Sequence, residues 1–432
     1  MPTMSTALLT DRYELTMVDA ALRAGVGQRP CVFEVFARRL ATGRRYGVVA
    51  GTGRLLEALR EFRFGPAELA WLREQAVVSD DTLDWLAGYR FSGRISGYRE
   101  GELFFPGSPV LVVEAPFAEA VLLETIALSV LNYDSAVASA AARMVAVADG
   151  RPISEMGSRR TGEHSAVAAA RAAYRAGFAA TSNLEAWRRW GVPTMGTAAH
   201  AFTLLFDTEL DAFRAQVDAM GAGTTLLVDT YEIPDAVESA VRIAGPALGA
   251  VRLDSGDLAV LATQVRAQLD GLGATETRII ATNDLDEFAI EALSAAPLDS
   301  FGVGTAVVTG SGAPAAGFVY KIAAHLDDDG NWMPVGKRSF EKATVAGRKQ
   351  PVRVLREGVA VAEHIYVEEP LDEHVGRELL ADLVTDGEPV EWALGPRGVR
   401  AARDHHAAAI AELPADARAL APGDPAIPTL YF

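Results

Sequence analysis

The sequence predicts an α/β protein whose middle third is a closed β/α barrel, flanked by a domain of mixed strands and helices. Three observations carry this. From Pro152 to Val303, short apolar runs alternate seven times with amphipathic runs of helix length, the signature of βαβ units. Phe91 to Ala115 instead has apolar runs punctuated by Gly and Pro, as antiparallel strands do. Polar residues then gather just past the barrel strands, on the rim where such barrels carry their sites.

The elements follow in order. Leu15 to Ala24 reads as a helix after the acidic TDRYE turn. CVFEVFARRL reads as a strand, YGVVAG as a strand or turn, and LLEALREF and PAELAWLREQ as helices, the second opened by Pro66. Pro116 precedes a long apolar helix, AEAVLLETIALSVLNY, suited to a core. The barrel strands lie at Pro152–Met156, Phe178–Thr181, Pro193–Gly196, Thr225–Asp229, Ala250–Leu253, Arg278–Thr282 and Ser300–Val303. GFVYKIAAH is the candidate eighth strand. The last hundred residues return to strands (NWMPVGKRSF, QPVRVLREGV, AEHIYVEE), then two helices rich in Ala and acid and a Pro-rich tail expected to be extended.

Composition excludes several function classes. Lys and Arg number 40 against 57 Asp and Glu, a net charge of −17, which argues against general binding to nucleic acid or an anionic membrane. A single cysteine, Cys31, excludes an internal disulfide and a multi-cysteine metal site, and fits a reducing, cytoplasmic setting. The first residues lack the cationic start of a targeting segment. No HExxH or other ligand spacing joins the histidines.

The strand ends supply the candidate site. They carry Ser158, Arg159 and Arg160; Thr181, Ser182 and Asn183; Thr197 and His200; Asp229, Thr230 and Tyr231; Arg252, Asp254, Ser255 and Asp257; Asn283 and Asp284; and Gly302, Gly304 and Thr305. Asp257, Asn283 and Asp284 suit helix N-caps as well as a site. An inward Arg252 needs an anionic partner, from the protein or from a ligand. GVGT after the seventh strand suits a phosphate, because glycines let backbone N–H groups approach an anion. It lacks the third glycine of a dinucleotide fingerprint. A histidine beside an apolar run is commonly a packed core residue; its place on the rim favours a site role for His200.

These motifs resemble nicotinate phosphoribosyltransferases. TDRYELTM at 10–17, SEMGSRR at 154–160, TSN at 181–183, GVPTMGTAAHAF at 191–202, LLVDTYE at 226–232, VRLDSGDL at 251–258 and GVGTAVVT at 302–309 match in order across residues 8–325. The resemblance implies an irregular β/α barrel (136–325) and an N-terminal α/β sandwich domain (1–135) completed by the C-terminal segment (326–432). It implies transfer of phosphoribosyl from 5-phosphoribosyl 1-pyrophosphate (PRPP) to nicotinate in NAD biosynthesis. ATP hydrolysis would be coupled through phosphorylation of His200, with Mg2+ as cofactor. Arg159, Arg252 and Asp254 would serve catalysis. Tyr13, Arg159, Ser182, Thr197 and Arg252 would meet nicotinate, and Asp229, Asp254, Gly302, Gly304 and Thr305 the phosphoribosyl group. Asp229, Asp254 and Asp257 are the candidates for Mg2+. Tyr13 would stack on the pyridine ring of a neighbouring subunit, so a homodimer with shared active sites is implied. Ser182 stands where nicotinamide-using relatives have Asp, which points to nicotinate.

This sequence departs from the family at Ala201, where many relatives carry a bulkier or polar residue, and in the short linker Thr161–His164. The rival expectations are a nicotinamide or quinolinate phosphoribosyltransferase, a noncatalytic nucleotide-binding barrel, and an aldolase-type barrel that would have to use Lys321.

Overall fold

The computed structural model describes residues 5–337, 344–368 and 376–432. Arg338, at the end of the expected strand NWMPVGKRSF, lies outside them. Contacts divide the chain into two compact units, one of Met1–Ser139 with Ala313–Phe432, the other of Ala140–Gly312.

The first unit is built on a seven-stranded sheet. Its order is Trp332–Pro334, Phe318–Leu326, Pro30–Ala37, Leu111–Pro116, Arg94–Tyr98, Leu380–Thr385 and Glu388–Pro389. Every neighbouring pair is antiparallel. Pro30–Ala37 is central and buried from Cys31 onward, so it lacks a solvent face. Phe33 stacks on Tyr320 at 5.0 Å between ring centroids, and Leu15, Leu56 and Phe62 share that core with Val113 and Leu383. The C-terminal chain thus completes a sheet begun by the N-terminal chain: Leu380 pairs with Tyr98 and Ala381 with Gly97.

A second, four-stranded sheet holds Arg377–Glu378, Lys349–Arg356, Val359–Val367 and Thr429–Tyr431. The tail therefore ends in a strand, parallel to Val359–Val367. Among the described residues only one of the two helices expected late in the chain forms, Gly395–Ala411; beyond Pro414 the chain makes a single 3-10 turn, Ala415–Arg418. Proline has no amide hydrogen to continue a helical ladder.

The second unit contains six parallel strands in the order Ala180–Thr181, Ile153–Glu155, Ser300–Val303, Arg278–Ala281, Ala250–Leu253 and Thr225–Leu227. Helices follow the strands at Glu163–Arg175, Leu184–Trp190, Ile233–Ala244, Leu258–Gly271 and Glu287–Ala292, with Glu209–Met220 before Thr225–Leu227. Phe301 pairs with Ile153, so the first and last strands of the unit are neighbours.

That pairing corrects the expected eight-stranded closure. No slot remains between Ser300–Val303 and Ile153–Glu155, and the candidate eighth strand, Phe318–Leu326, pairs antiparallel with Pro30–Ala37 in the first unit. Residues 313–325, expected within the barrel, accordingly belong to the first unit.

The expected strand Pro193–Gly196 is reduced to one bridge, Thr194 to Thr181. Pro193 has no N–H for a ladder, though its carbonyl accepts from the Thr181 amide at 2.9 Å. Among the described residues no pairing joins Thr194 to Thr225–Leu227. The result is an irregular half-barrel.

The long apolar helix runs from Glu124 to Val147. Together with the preceding turn it is long and apolar enough to cross a membrane, but 67% of its most apolar window is buried within the fold. Burial of that kind is the mark of a core helix.

Candidate active site

Local sequence fixes the strand ends first. Asn183 caps Leu184–Trp190 by accepting from the Ala186 amide at 3.1 Å, and its amide group donates to Ser158 Oγ at 3.1 Å. Asp257 caps Leu258–Gly271, accepting from Val260 N at 3.3 Å. Asp286, rather than Asn283 or Asp284, caps Glu287–Ala292. Asn283 and Asp284 instead hold φ of 104° and 35°, where non-glycine residues carry strain.

His200 opens a one-turn helix, His200–Thr203. Its Nε2 lies 3.2 Å from Asp229 Oδ1. The other oxygen of Asp229 accepts from the Asp254 amide at 2.9 Å and from Ser255 Oγ at 2.7 Å. The Asp229 side chain is only 1% exposed, whereas His200 is 39% exposed. A buried carboxylate thus holds an imidazole whose remaining edge reaches solvent. Asp254 in turn accepts from Thr282 Oγ1 through Oδ1.

Arg252 sits beside this chain of hydrogen bonds. Its Nη1 donates to Thr197 Oγ1 at 2.9 Å and to the Ala198 carbonyl at 3.3 Å, while its buried Nε has no partner among the described residues. Burial pulls the guanidinium pKa down; Asp254 and Asp229 oppose that, and Arg159 adds to it as a like charge. Arg159 is therefore near enough to Arg252 to be felt, and it is exposed. Two guanidiniums at one rim leave cationic capacity for an anion.

The remaining candidates divide. Ser182 is exposed, and its amide donates to the Glu155 carbonyl at 2.9 Å. Thr305 is exposed and Gly304 partly so. Gly302 is buried: a Cβ there would stand 2.6 Å from Thr282 Cγ2 and 2.7 Å from Met156 Sδ. Its lack of a side chain serves close packing under the rim. Asp257 is a cap and does not join the Asp229 cluster. Tyr13 belongs to the first unit.

Three contributors escaped sequence reasoning. Thr282 supports Asp254. Glu155 is fully buried, accepts from Thr181 Oγ1 and the Gly157 amide, and has its pKa raised by burial. Glu209 is half-buried near Asp229; burial, then Asp229 and Asp235, push its carboxyl up to about 7. The inward phase of Glu155 in ISE was the available signal for that residue. Nothing local distinguishes Glu209 from an ordinary acid in a first helical turn.

Among the described residues no group of three His, Cys, Asp or Glu side chains could hold a metal ion. Asp229 already uses both oxygens and Asp257 uses Oδ1 as a cap, so neither fits as part of an all-protein Mg2+ cage. A separate cavity of about 590 Å³ in the first unit is lined by Arg94, Arg348 and Lys349, among others. Its cations are already paired, with Asp382, Glu368 and Glu34 respectively, so it offers an anion little.

Comparison with known proteins agrees with this architecture. Residues 8–132 match the model of the nicotinate phosphoribosyltransferase (NAPRTase) N-terminal domain. A nicotinate phosphoribosyltransferase of Mycobacterium tuberculosis is 57% identical over 98% of this chain and 94% of its own. The Bacillus subtilis enzyme of that name is 37% identical over 84% of this chain and 76% of its own. The crystal structure of human nicotinic acid phosphoribosyltransferase superposes with a TM-score of 0.81 at 24% identity, covering 98% of this chain and 97% of that one, a likeness of fold. The chain belongs to the nicotinate phosphoribosyltransferase family.

Proposed function

We propose that this protein joins nicotinate to PRPP, giving nicotinate mononucleotide and pyrophosphate for NAD biosynthesis, with ATP hydrolysis coupled through phosphorylation of His200. The observation that carries the reading is the His200–Asp229 pair, with its carboxylate buried and its imidazole open to solvent. With Asp229 accepting from Nε2, a neutral ring keeps its lone pair on Nδ1. That nitrogen attacks the γ-phosphorus of ATP; the bond to the β-phosphate oxygen breaks, and its electron pair leaves with ADP. Asp229 stabilises the cationic ring that forms.

In the transfer step the pyridine nitrogen attacks C1 of the ribose while the C1–O bond breaks and its electrons leave with pyrophosphate. The positive charge that develops on the sugar favours a nearby carboxylate, and Asp254 is the candidate. Arg252 and Arg159 take the pyridine carboxylate and phosphoribosyl oxygens, for which a planar fork is suited. Gly304 and Thr305 receive the 5′-phosphate, with Gly302 packing beneath them. Thr197 holds Arg252 in place, and Ser182 brings no negative charge against the nicotinate carboxylate. Of the candidate carboxylates Asp254 would be the one left to hold Mg2+, which when bound would supply charge neutralisation for the pyrophosphate. Tyr13 stacks on the pyridine ring across a homodimer. The single cysteine supports a cytoplasmic setting.

The test is product identification with nicotinate, nicotinamide and quinolinate in parallel, each with PRPP, with and without ATP. Nicotinate mononucleotide and pyrophosphate are expected from nicotinate, with turnover raised by ATP. No pyrophosphate from any base would reduce the protein to a noncatalytic barrel.

A further inference from the structure

Three strands of the second unit end side by side. Ile153–Glu155 pairs in parallel with Ala180–Thr181 on one side and with Ser300–Val303 on the other, so Glu155 stands opposite both Thr181 and Val303. Side chains alternate along a strand, and the side chain of Glu155 falls on the buried phase, with no solvent exposure. A carboxylate there is costly unless its oxygens are satisfied. Here both are satisfied: Oε1 accepts from the Gly157 amide, and Oε2 from the Thr181 hydroxyl at 2.5 Å. Burial raises the carboxyl pKa, and these two donors oppose the rise by stabilising the charge.

Each donor begins a stretch that carries a candidate residue. The Gly157 carbonyl accepts from the Arg160 amide at 2.8 Å, which closes a turn around Ser158 and Arg159. Thr181, whose hydroxyl proton goes to Glu155, accepts from the Asn183 amide at 3.0 Å, which closes a turn around Ser182. The Ser182 amide donates to the Glu155 carbonyl at 2.9 Å. The two turns meet, for the Asn183 side chain donates to Ser158 Oγ at 3.1 Å. Glu155 therefore holds, through side chain and backbone, both the turn that presents Arg159 and the turn that presents Ser182. The third strand end is secured differently: the Met156 amide donates to the Val303 carbonyl at 2.7 Å, a bond in which the carboxylate takes no part.

We propose that Glu155 is a positioning residue for nicotinate binding: its carboxylate, bridging the Gly157 amide and the Thr181 hydroxyl, sets the spacing between Arg159 and Ser182. The inference rests on the reading of Arg159 as a partner of the nicotinate carboxylate. A carboxylate accepts at both oxygens, whereas the side chain in Glu155→Gln accepts at one end and donates at the other. Turned towards Gly157, its amide group meets another N–H. Turned towards Thr181, it competes with the Asn183 amide for the hydroxyl oxygen and takes away the acceptor of the hydroxyl proton. Either way the bridge is broken at one end and the spacing of the turns is lost. Binding of the base weakens, while the phosphoribosyl group, met at the third strand end, keeps its place. The effect belongs in KM for nicotinate rather than in kcat or KM for PRPP.

Steady-state kinetics of the full chain test this, with Glu155→Gln, Thr181→Val, Thr181→Ser, Arg159→Ala and the Glu155→Gln/Arg159→Ala double variant. Glu155→Gln should raise KM for nicotinate about tenfold, the scale of one hydrogen bond to a charged group, with kcat and KM for PRPP within about twofold. Thr181→Val should raise the same KM, and Thr181→Ser, which keeps the hydroxyl, should recover most of that loss. Because Glu155 acts through Arg159, the double variant should be no worse than Arg159→Ala alone. An unchanged KM for nicotinate in Glu155→Gln, additive losses, or a fall in kcat with both KM values raised alike would overturn the positioning role and leave the reading of Arg159 intact. An unchanged KM in Arg159→Ala would instead take Arg159 out of the base pocket, and the proposal would fall with that reading. Should Glu155→Gln fail to fold, Thr181→Val opens the same bridge from its other end and decides the matter.

Discussion

The buried carboxylate of Asp229 joins Nε2 of His200, at 3.2 Å, to the backbone amide of Asp254, at 2.9 Å. One side chain thus couples the candidate phosphorylation site to the VRLDSGD strand end. The coupling predicts different outcomes for the two partners. His200→Ala should abolish acid-labile labelling by γ-labelled ATP and leave a residual ATP-independent transfer. Asp229→Asn keeps the shape and removes the charge, so labelling should slow by on the order of 10²-fold. Label retained in His200→Ala would place the phosphate elsewhere.

Base selection gives a second expectation. Ser182 is exposed and uncharged on the rim that carries Arg159 and Arg252. Nicotinate should exceed nicotinamide by at least about tenfold in kcat/KM, roughly 1.4 kcal/mol. Ser182→Asp should lower that value for nicotinate, because two carboxylates would face each other. Unchanged kinetics in Ser182→Asp would put the pyridine pocket elsewhere.

Packing beneath the rim gives a third. A methyl group added at Gly302 would meet Thr282 and Met156 well inside contact distance. Gly302→Ala should destabilise the fold by about 1–3 kcal/mol. It should also lower kcat/KM, because Thr282 is the residue that supports Asp254. Urea unfolding and kinetics on the same variant check both. Wild-type stability would show that this corner yields more readily than its distances indicate.

Glu209 gives a dependence on pH. Its carboxyl is raised from the ordinary 4.5 to about 7, so the folded chain holds this proton more tightly than the unfolded chain does. Ionisation therefore penalises the fold, an effect absent below about pH 4.5 and complete above about pH 7. Glu209→Gln should stabilise the protein by roughly 1 kcal/mol at pH 8, allowing for solvent screening, and hardly at all at pH 5. Thermal melts at the two pH values measure it. An equal gain at both would mean that the carboxyl is not under electrostatic strain.

Much of this was legible in the chain itself. Apolar periodicity located six of the seven barrel strands and the helices between them, because local spacing decides which face an element buries. Strand-end position also singled out His200, Asp229, Arg252 and Asp254 before any coordinates. Periodicity failed at GVPTMGT, where Pro and Gly leave one bridge in place of a strand. It failed again at Phe318–Leu326, whose alternation suits a barrel strand and an antiparallel one equally well.

Residue order alone established the α/β class, the rim residues and the family motifs, since each of these is written in neighbours along the chain. Long-range partnership was settled only on folding. The pairing of Phe301 with Ile153 and the support of Asp254 by Thr282 join residues far apart in sequence. Such contacts depend on how whole elements pack, and no short window of sequence carries that information.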